Sequence, residues 1–270
     1  MTFQEKLRAA WAGNNSLVCV GLDPDLKKLP ECVKQETFPI FAFNKAIIDA
    51  TRNFVCAYKP QAAYYAGQNA DAELAMTMEY LRKTCPEIPV ILDVKRGDIG
   101  STADFYAKEA FERYNADAVT VNPYMGFDTL KPFLNYADRG TVILCRTSNP
   151  SAAELQDLVA DGHPLYEHVA ILARDKWNEH NNVLLVVGAT WPEELGRIRA
   201  LNPEMTFLVP GVGAQGGDVQ AVLTHGKTAD GTGLIINSSR GIIYASKGED
   251  FAAAAGNAAR ELRDLINQFR

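Results

Sequence analysis

Several features that define other classes of protein are missing from this chain of 270 residues. No apolar run approaches the roughly 18 residues that a transmembrane helix needs, so we expect no membrane span. No block of like charges occurs, and the formal net charge is −6, which argues against nucleic acid as a partner. Residues 1–6 contain no apolar secretory segment.

Cysteine and histidine are scarce, and their spacing does not suit a metal site. The five cysteines form no CxxC pair, and the four histidines share no metal-ligand spacing with them. Cys19, Cys56 and Cys145 lie inside apolar runs, as reduced and buried thiols do in a cytoplasm. We therefore expect a cytoplasmic protein without a metal site.

A repeated unit is present instead, in which short apolar runs alternate with segments of helical periodicity. The runs begin near Leu17, Phe54, Ile88, Ala118, Thr141, Val183, Thr206 and Leu234. Buried strands that alternate with helices predict parallel pairing and right-handed crossovers. Eight such units predict a single (β/α)8 TIM barrel, an α/β domain that spans residues 1–270.

An open doubly wound sheet is the alternative fold for such a pattern. Its glycine fingerprint, GxGxxG, is missing after the first strand, which favours the barrel. No linker rich in Pro, Gly or Ser divides the chain. Residues 148–162 are long for a βα loop, and we expect them to cover the mouth of the barrel.

The most informative segment is residues 90–100, where an apolar run ends in clustered charges. Asp93 and Lys95 are two residues apart, so on a regular strand their side chains share a face, about 7 Å apart. Asp98 follows Gly97, where the backbone is free to turn. Burying these charges costs solvation energy, so they form either a structural ion pair or a chemical site.

Other predicted strands also end in polar side chains, among them Asp23, Lys59 and Asn122. In a barrel of this kind the chemistry lies at the carboxyl ends of the strands. Because these groups would meet at one rim, their coincidence favours a functional site.

The last two strands are followed by a pattern typical of phosphate binding. Residues 211–217 are rich in glycine, which allows backbone amides to approach an anion closely, and Arg240 follows the eighth strand. A guanidinium presents a planar fork that suits phosphate oxygens. Together they predict a ligand that carries a phosphate monoester.

Taken together, these motifs resemble the signature of the orotidine 5′-monophosphate decarboxylase family, in its longer bacterial branch. The resemblance runs from residue 23 to residue 240 and rests on Asp93-x-Lys95-x-x-Asp98 with Thr102, on Lys59, on the loop from Pro210 through Gln215, and on Arg240. It implies a homodimer that converts orotidine 5′-monophosphate to uridine 5′-monophosphate and CO2 without a cofactor, in de novo pyrimidine synthesis.

The resemblance also implies roles for four charged residues, Lys59, Asp93, Lys95 and Asp98, as an alternating catalytic array. Lys95 would lie beside C6 of the pyrimidine and deliver a proton there. Asp93 would face the substrate carboxylate, and it either raises the energy of the ground state or positions Lys95.

The resemblance implies substrate-binding residues too. Asp23 would bind a ribose hydroxyl, Pro210 and Arg240 would contribute to the phosphate site, and Gln215 would bridge base and phosphate. Ser148 would contact the pyrimidine, with Thr147 and Asn149 as alternatives. Asp98 and Thr102 would reach into the site of the partner subunit.

Two other functions remain open. A magnesium-dependent phosphosugar synthase or decarboxylase of the same superfamily shares DxKxxD, but it carries an acidic residue where this chain has Lys59. A non-catalytic protein that binds nucleotide phosphate would keep the phosphate loop, but it has no need of a strained array of charges.

Overall fold

The computed structural model describes residues 1–212 and 217–270. Its central feature is a parallel sheet of eight strands: β1 Val18–Leu22, β2 Ala57–Pro60, β3 Ile91–Arg96, β4 Ala118–Val121, β5 Gly140–Arg146, β6 Val183–Val187, β7 Phe207–Pro210 and β8 Leu234–Ser238.

This sheet closes on itself. Hydrogen-bonded neighbours run in the order β2-β1-β8-β7-β6-β5-β4-β3, and every pair is parallel. The two outer strands of that order meet through parallel bridges from Tyr58 to Val90 and from Gln61 to Asp93. Closure of eight parallel strands with intervening helices confirms the predicted (β/α)8 barrel.

Helices surround the strands. They are α1 Phe3–Gly13, α2 Glu31–Lys34, α3 Pro39–Thr51, α4 Ala62–Ala66, α5 Asp71–Thr84, α6 Gly100–Lys108, α7 Phe127–Leu134, α8 Ala153–Gln156, α9 Leu165–Asp175, α10 Pro192–Leu201, α11 Val219–Gly226, α12 Arg240–Ile243 and α13 Phe251–Asn267. A π-helical turn, Glu109–Arg113, continues α6, and 3-10 turns occupy Leu26–Lys28 and Pro150–Ala152.

The core lies inside the barrel and between the strands and the helices. Strands β1 and β6 are buried at every position, which is why they read as unbroken apolar runs rather than alternating ones. The last helix, α13, buries Phe251, Ala255 and Ala259 at a spacing of four, so one stripe of the helix faces inward. Phe251 stacks on Phe43 of α3 with ring centroids 5.3 Å apart. The described residues contain no helix long and apolar enough to cross a bilayer.

The connection from β5 to β6 has secondary structure of its own. After α8, Val159–Ala160 pairs antiparallel with His163–Pro164. The turn between them is Asp161 and Gly162, which have φ of +49° and +82°. Positive φ at both central residues is the geometry of the tight hairpin turn that Asp-Gly favours.

Candidate active site

A cavity of about 400 Å³ opens at the carboxyl ends of the strands. That volume is in the range of small-molecule sites. The described residues that line it are Asp23, Lys59, Gln61, Tyr64, Asp93, Lys95, Thr120, Val186, Leu208, Pro210, Gly211, Val212, Asn237, Ser238, Ser239 and Arg240. The fold therefore brings six of the ten predicted site residues into one cavity: Asp23, Lys59, Asp93, Lys95, Pro210 and Arg240.

Asp93 is the centre of a chain of ion pairs in this cavity. Its Oδ2 lies 3.0 Å from Lys59 Nζ, and its Oδ1 lies 2.6 Å from Lys95 Nζ. Lys59 Nζ also lies 3.8 Å from Asp23 Oδ1. Positive and negative groups thus alternate in the order Asp23, Lys59, Asp93, Lys95, across the neighbouring strands β1, β2 and β3.

Burial and mutual attraction fix the charges of the two inner groups. Burial alone would raise the pKa of Asp93, but the charges of Lys59 and Lys95 and hydrogen bonds from Lys95 and Thr120 lower it well below its ordinary value. Burial alone would lower the pKa of Lys59, but Asp23 and Asp93 raise it above its ordinary value. Both groups are therefore ionised at neutral pH, although each is almost completely buried.

The backbone of β3 departs from regular strand geometry at the site. Lys95 has φ of +49°, in the left-handed region, and the register between β3 and β4 shifts between Leu92 and Arg96. A non-glycine residue held in this region marks strain that the surrounding structure must overcome. Here the irregular turn, rather than strand alternation, lets Lys95 bend back onto Asp93.

Thr120 of β4 holds this irregular turn, and sequence reasoning missed it. Its Oγ1 accepts the backbone N–H groups of Val94 and Lys95, both at 3.0 Å, and donates to Asp93 Oδ1 at 2.8 Å. The sequence contains one signal for this role of Thr120, which is a single hydroxyl side chain in the otherwise apolar strand Ala118–Val121.

Asp23 is positioned by the neighbouring strand β8. Ser239 Oγ donates to Asp23 Oδ2 at 2.6 Å. This contact requires a glycine at position 21, because a Cβ there would lie 1.8 Å from Ser239 Oγ. Ser239 and Gly21 are two more positions that the sequence alone did not single out.

The predicted phosphate residues at the ends of β7 and β8 line the same cavity. Pro210 and Gly211 line it, and Gly211 has φ of +99°. The stem of the following loop is closed by a bridge between Val212 and Gly217. Arg240 begins α12, is exposed, and also lines the cavity. Gln215 lies outside the described residues.

Three predicted site residues lie outside this cavity within the single chain. Asp98 Oδ1 accepts the N–H of Ile99 at 2.8 Å and makes no ion pair with a described residue. Thr102 is exposed on α6. Ser148 follows β5 and packs against Gly188, where an added Cβ would lie 2.8 Å from Ser148 Cα.

A larger cavity, of about 610 Å³, lies where loops lead into the amino ends of β5 to β8. Its lining includes Arg139, Asn182, Asn202 and Asp230. In barrels of this kind the amino-terminal face serves stability rather than chemistry. The smaller cavity, which holds the ion pairs, is therefore the candidate active site.

Fold and site together define a TIM-barrel enzyme with a preorganised array of charges at its carboxyl-terminal face. Cys19 lies beneath the array, and burial raises the pKa of its thiol to about 12, so it offers no thiolate nucleophile. Within residues 1–212 and 217–270, no group of three or more His, Cys, Asp or Glu side chains is arranged to hold a metal ion.

Comparison with known proteins identifies the family. Residues 16–255 match the orotidine 5′-phosphate decarboxylase / HUMPS family. An orotidine 5′-phosphate decarboxylase from Cellvibrio japonicus is 62% identical over 272 residues and covers 100% of both chains. One from Cupriavidus necator is 56% identical over 270 residues, 100% of this chain and 99% of the relative. The solved structure of Leishmania donovani OMP decarboxylase superposes with a TM-score of 0.86 at 40% identity, over 100% of this chain and 98% of that one. The chain therefore belongs to the orotidine 5′-phosphate decarboxylase family, which confirms the family that the motifs predicted.

Proposed function

We propose that this chain decarboxylates orotidine 5′-monophosphate to uridine 5′-monophosphate and CO2, as a step of pyrimidine biosynthesis, without a cofactor. The observation that carries the proposal is the chain of ion pairs through Lys59, Asp93 and Lys95, in one cavity with Pro210 and Arg240, in a member of this family.

The reaction is difficult because of where the electron pair goes. The bond between C6 and the carboxylate carbon breaks, CO2 leaves, and the pair stays on C6 as a vinyl carbanion that no adjacent carbonyl delocalises. Preorganised charge is the means by which a protein can stabilise such an anion. A proton must then reach C6 to give the product.

Exposure distinguishes the two lysines and indicates which of them donates this proton to C6. The side chain of Lys95 is 44% exposed, whereas that of Lys59 is 5% exposed and is held between Asp23 and Asp93. Lys95 is therefore the ammonium that a ligand can reach. We assign Lys95 to oppose the developing charge at C6 and to donate the proton, which it regains from solvent after product release.

Asp93 is an anion that cannot supply this proton. Lys95 and Thr120 donate to its Oδ1, and Lys59 donates to its Oδ2. Held in this way, Asp93 positions Lys95, and it faces the substrate carboxylate before that group leaves.

The remaining predicted residues bind the nucleotide. Arg240 and the loop that begins at Pro210 hold the phosphate, and Gln215 bridges the base and the phosphate. Asp23 accepts a hydrogen bond from a ribose hydroxyl, and Ser148 contacts the pyrimidine. Residues 148–162 cover the mouth of the cavity, since they start at the carboxyl end of β5 and expose Leu155, Leu158 and Val159.

Incubating the protein with orotidine 5′-monophosphate and following the ultraviolet absorbance of the pyrimidine tests the proposal. We expect complete conversion to uridine 5′-monophosphate at an unchanged rate when a chelator is added. Loss of activity with the chelator would support a magnesium-dependent phosphosugar enzyme instead. Binding without turnover would support a non-catalytic nucleotide-binding protein.

The Thr120→Val variant tests whether Thr120 supports the array of charges at Asp93 and Lys95. Valine keeps the branched shape but removes the donor to Asp93 and the acceptor for the amides of Val94 and Lys95. A hydrogen bond to a charged group contributes about 1.5–3 kcal/mol, so we expect kcat/KM to fall about 10- to 100-fold. Steady-state kinetics measure this effect.

Thr77→Val is the matched control for Thr120→Val. Thr77 is also fully buried, but its hydroxyl donates to the Glu73 carbonyl within α5 and accepts from Asn44, and none of these residues lines the cavity. We expect this control to lose stability in thermal unfolding and to retain the kcat/KM of the wild type. Equal kcat/KM values for the two variants would contradict the role assigned to Thr120.

We also propose that the active form is a homodimer. Five apolar side chains form an exposed patch on and around α6 and α7: Ile99, Phe105, Tyr124, Met125 and Phe127. Helices α6 and α7 pack against each other, and Asp98 and Thr102 adjoin this apolar patch. An exposed patch of this kind is typical of an interface, and burying it in a two-fold dimer would place Asp98 and Thr102 at the surface of a second copy.

Mixing two inactive variants, Lys95→Ala and Asp98→Ala, tests both the dimer and the sharing of sites. If Asp98 serves the partner, a mixed dimer contains one site with both residues intact and one with neither. Random exchange of subunits then restores about one quarter of the wild-type activity. An inactive mixture in which differently tagged subunits co-purify as mixed dimers would contradict sharing, and a monomer in light scattering would contradict the dimer.

A further inference from the structure

Arg146, the last residue of β5, has a side chain with no exposed surface. A guanidinium is always charged, and removing a charge from water is costly unless partners compensate it. None of the catalytic roles assigned above uses this residue. Its burial therefore calls for another explanation.

Among the described residues, the hydrogen-bond partners of the Arg146 side chain come from one segment, residues 148–162. Arg146 Nη2 lies 3.2 Å from Asp157 Oδ2, and Nη1 lies 3.3 Å from Gln156 Oε1. The guanidinium also stacks on Trp191, 4.3 Å from the centroid of the ring. Arg146 thus joins this segment to the barrel at two neighbouring residues.

Two of these partners, Gln156 and Trp191, also hydrogen-bond to Thr147. Gln156 Oε1 accepts the N–H of Thr147, and Gln156 Nε2 donates to Thr147 Oγ1, both at 2.9 Å. Trp191 Nε1 donates to the Thr147 carbonyl at 3.0 Å. We call this group of four residues the β5 latch: Arg146, Gln156, Asp157 and Trp191. The latch fixes the conformation of Thr147, the residue before Ser148.

The position of Ser148 follows from this arrangement. Its carbonyl accepts from Thr190 Oγ1 at 3.3 Å, and its Cα lies against Gly188, just after β6, whose Val186 lines the cavity. Thr147 is already engaged, because its hydroxyl donates to Asn149 Oδ1 at 2.7 Å and accepts from Gln156. Thr147 and Asn149 thus hold each other on either side of Ser148.

We propose that Arg146 is a positioning residue that, through the β5 latch, places Ser148 for recognition of the pyrimidine ring. The inference rests on the proposed function, because it requires a pyrimidine nucleotide in the cavity. It predicts a selective defect: ligands that carry the base lose affinity, whereas ligands that carry only the ribose and the phosphate do not.

Binding of two ligands by isothermal titration calorimetry tests this inference. The variants are Arg146→Met, which removes the charge at similar volume, and Asp157→Asn, which changes the partially exposed end of the latch. We expect the affinity for uridine 5′-monophosphate to fall about tenfold or more and that for ribose 5-phosphate to stay within about twofold of the wild type. Asp175→Asn is the matched control, because Asp175 pairs with Arg174 on the exposed surface, and both of its affinities should equal those of the wild type.

Two outcomes would overturn the inference: variants that bind both ligands like the wild type, or variants that lose affinity for both equally. If Arg146→Met does not fold, Asp157→Asn and Trp191→Phe decide the question. Trp191→Phe keeps a ring under the guanidinium but loses the N–H that donates to the Thr147 carbonyl. A wild type that neither binds uridine 5′-monophosphate nor decarboxylates its substrate would instead overturn the proposed function itself.

Discussion

Replacing Lys95 by alanine is expected to reduce decarboxylation nearly to the uncatalysed rate while the protein remains folded. Lys95 is the reachable ammonium of the array, so its loss removes both the charge that opposes the carbanion and the proton donor. The fold should survive because the side chain is 44% exposed and Asp93 keeps Lys59 and Thr120 as partners. Ultraviolet turnover assays and thermal unfolding measure the two effects.

Lys59→Met provides the contrast that makes this prediction specific. Lys59 is buried between Asp23 and Asp93, so its removal leaves two carboxylates without their shared cation. Breaking a buried ion pair costs about 3–5 kcal/mol, and we expect that loss in the free energy of unfolding. Lys95→Ala should lose activity without a comparable loss of stability. Appreciable turnover by folded Lys95→Ala would contradict the role assigned to Lys95.

Lys95→Arg separates charge from proton donation. Arginine keeps a positive charge beside Asp93, but its pKa makes it a poor proton donor, and its planar fork requires a different geometry. We expect this variant to bind the nucleotide and to remain close to inactive. Recovery of wild-type turnover would indicate that charge alone, without proton transfer from residue 95, accounts for the rate.

The barrel could be predicted because its strands are buried on both faces and therefore appear as apolar runs. The starts of individual strands were less predictable, for local reasons. The second apolar run begins near Phe54, but the Phe54 N–H donates to the Thr51 carbonyl and completes the turn after α3, and β2 begins at Ala57. The third apolar run begins near Ile88, but Pro89 has no N–H to give to a ladder, and β3 begins at Ile91.

The short hairpin between β5 and β6 was missed, although the sequence carried a signal for it. Asp161-Gly162 is the dipeptide that favours a tight hairpin turn, and the structure places both residues at positive φ. The flanking strands have only two residues each, which is too short for a pattern of alternation to be visible.

The candidate site could be predicted where charges lie near or just after the carboxyl end of a buried strand, as they do at Lys59, Asp93 and Arg240. Thr120 could not be identified in the same way, because a threonine in a strand is ordinary and its role depends on the register of β3 against β4. Ser239 became recognisable only through its contact with Asp23 across β8 and β1. For Asp98 and Thr102, the environment that matters would belong to a second chain.

Replacing Arg240 by alanine is expected to lower kcat/KM by about 10²- to 10⁴-fold. Arg240 lines the same cavity as Pro210 and Gly211, and none of the described residues forms an ion pair with it. Binding energy from a distant phosphate can stabilise the transition state by orienting the substrate and closing loops over it. Steady-state kinetics with orotidine 5′-monophosphate measure the loss.

A second substrate shows whether that loss belongs to the phosphate. Orotidine lacks the phosphate, so the wild type should process it slowly, and Arg240→Ala should process it at the same rate as the wild type. Lys95→Ala, in contrast, should be impaired with both substrates, because its defect lies at C6. Arg260→Ala, at an exposed position of α13, is the matched control and should leave both rates unchanged. A loss below tenfold with the nucleotide, or an equal loss with orotidine, would remove Arg240 from the phosphate site. The coupling between Arg240 and the phosphate therefore decides whether Arg240 and Lys95 act on the same bound molecule.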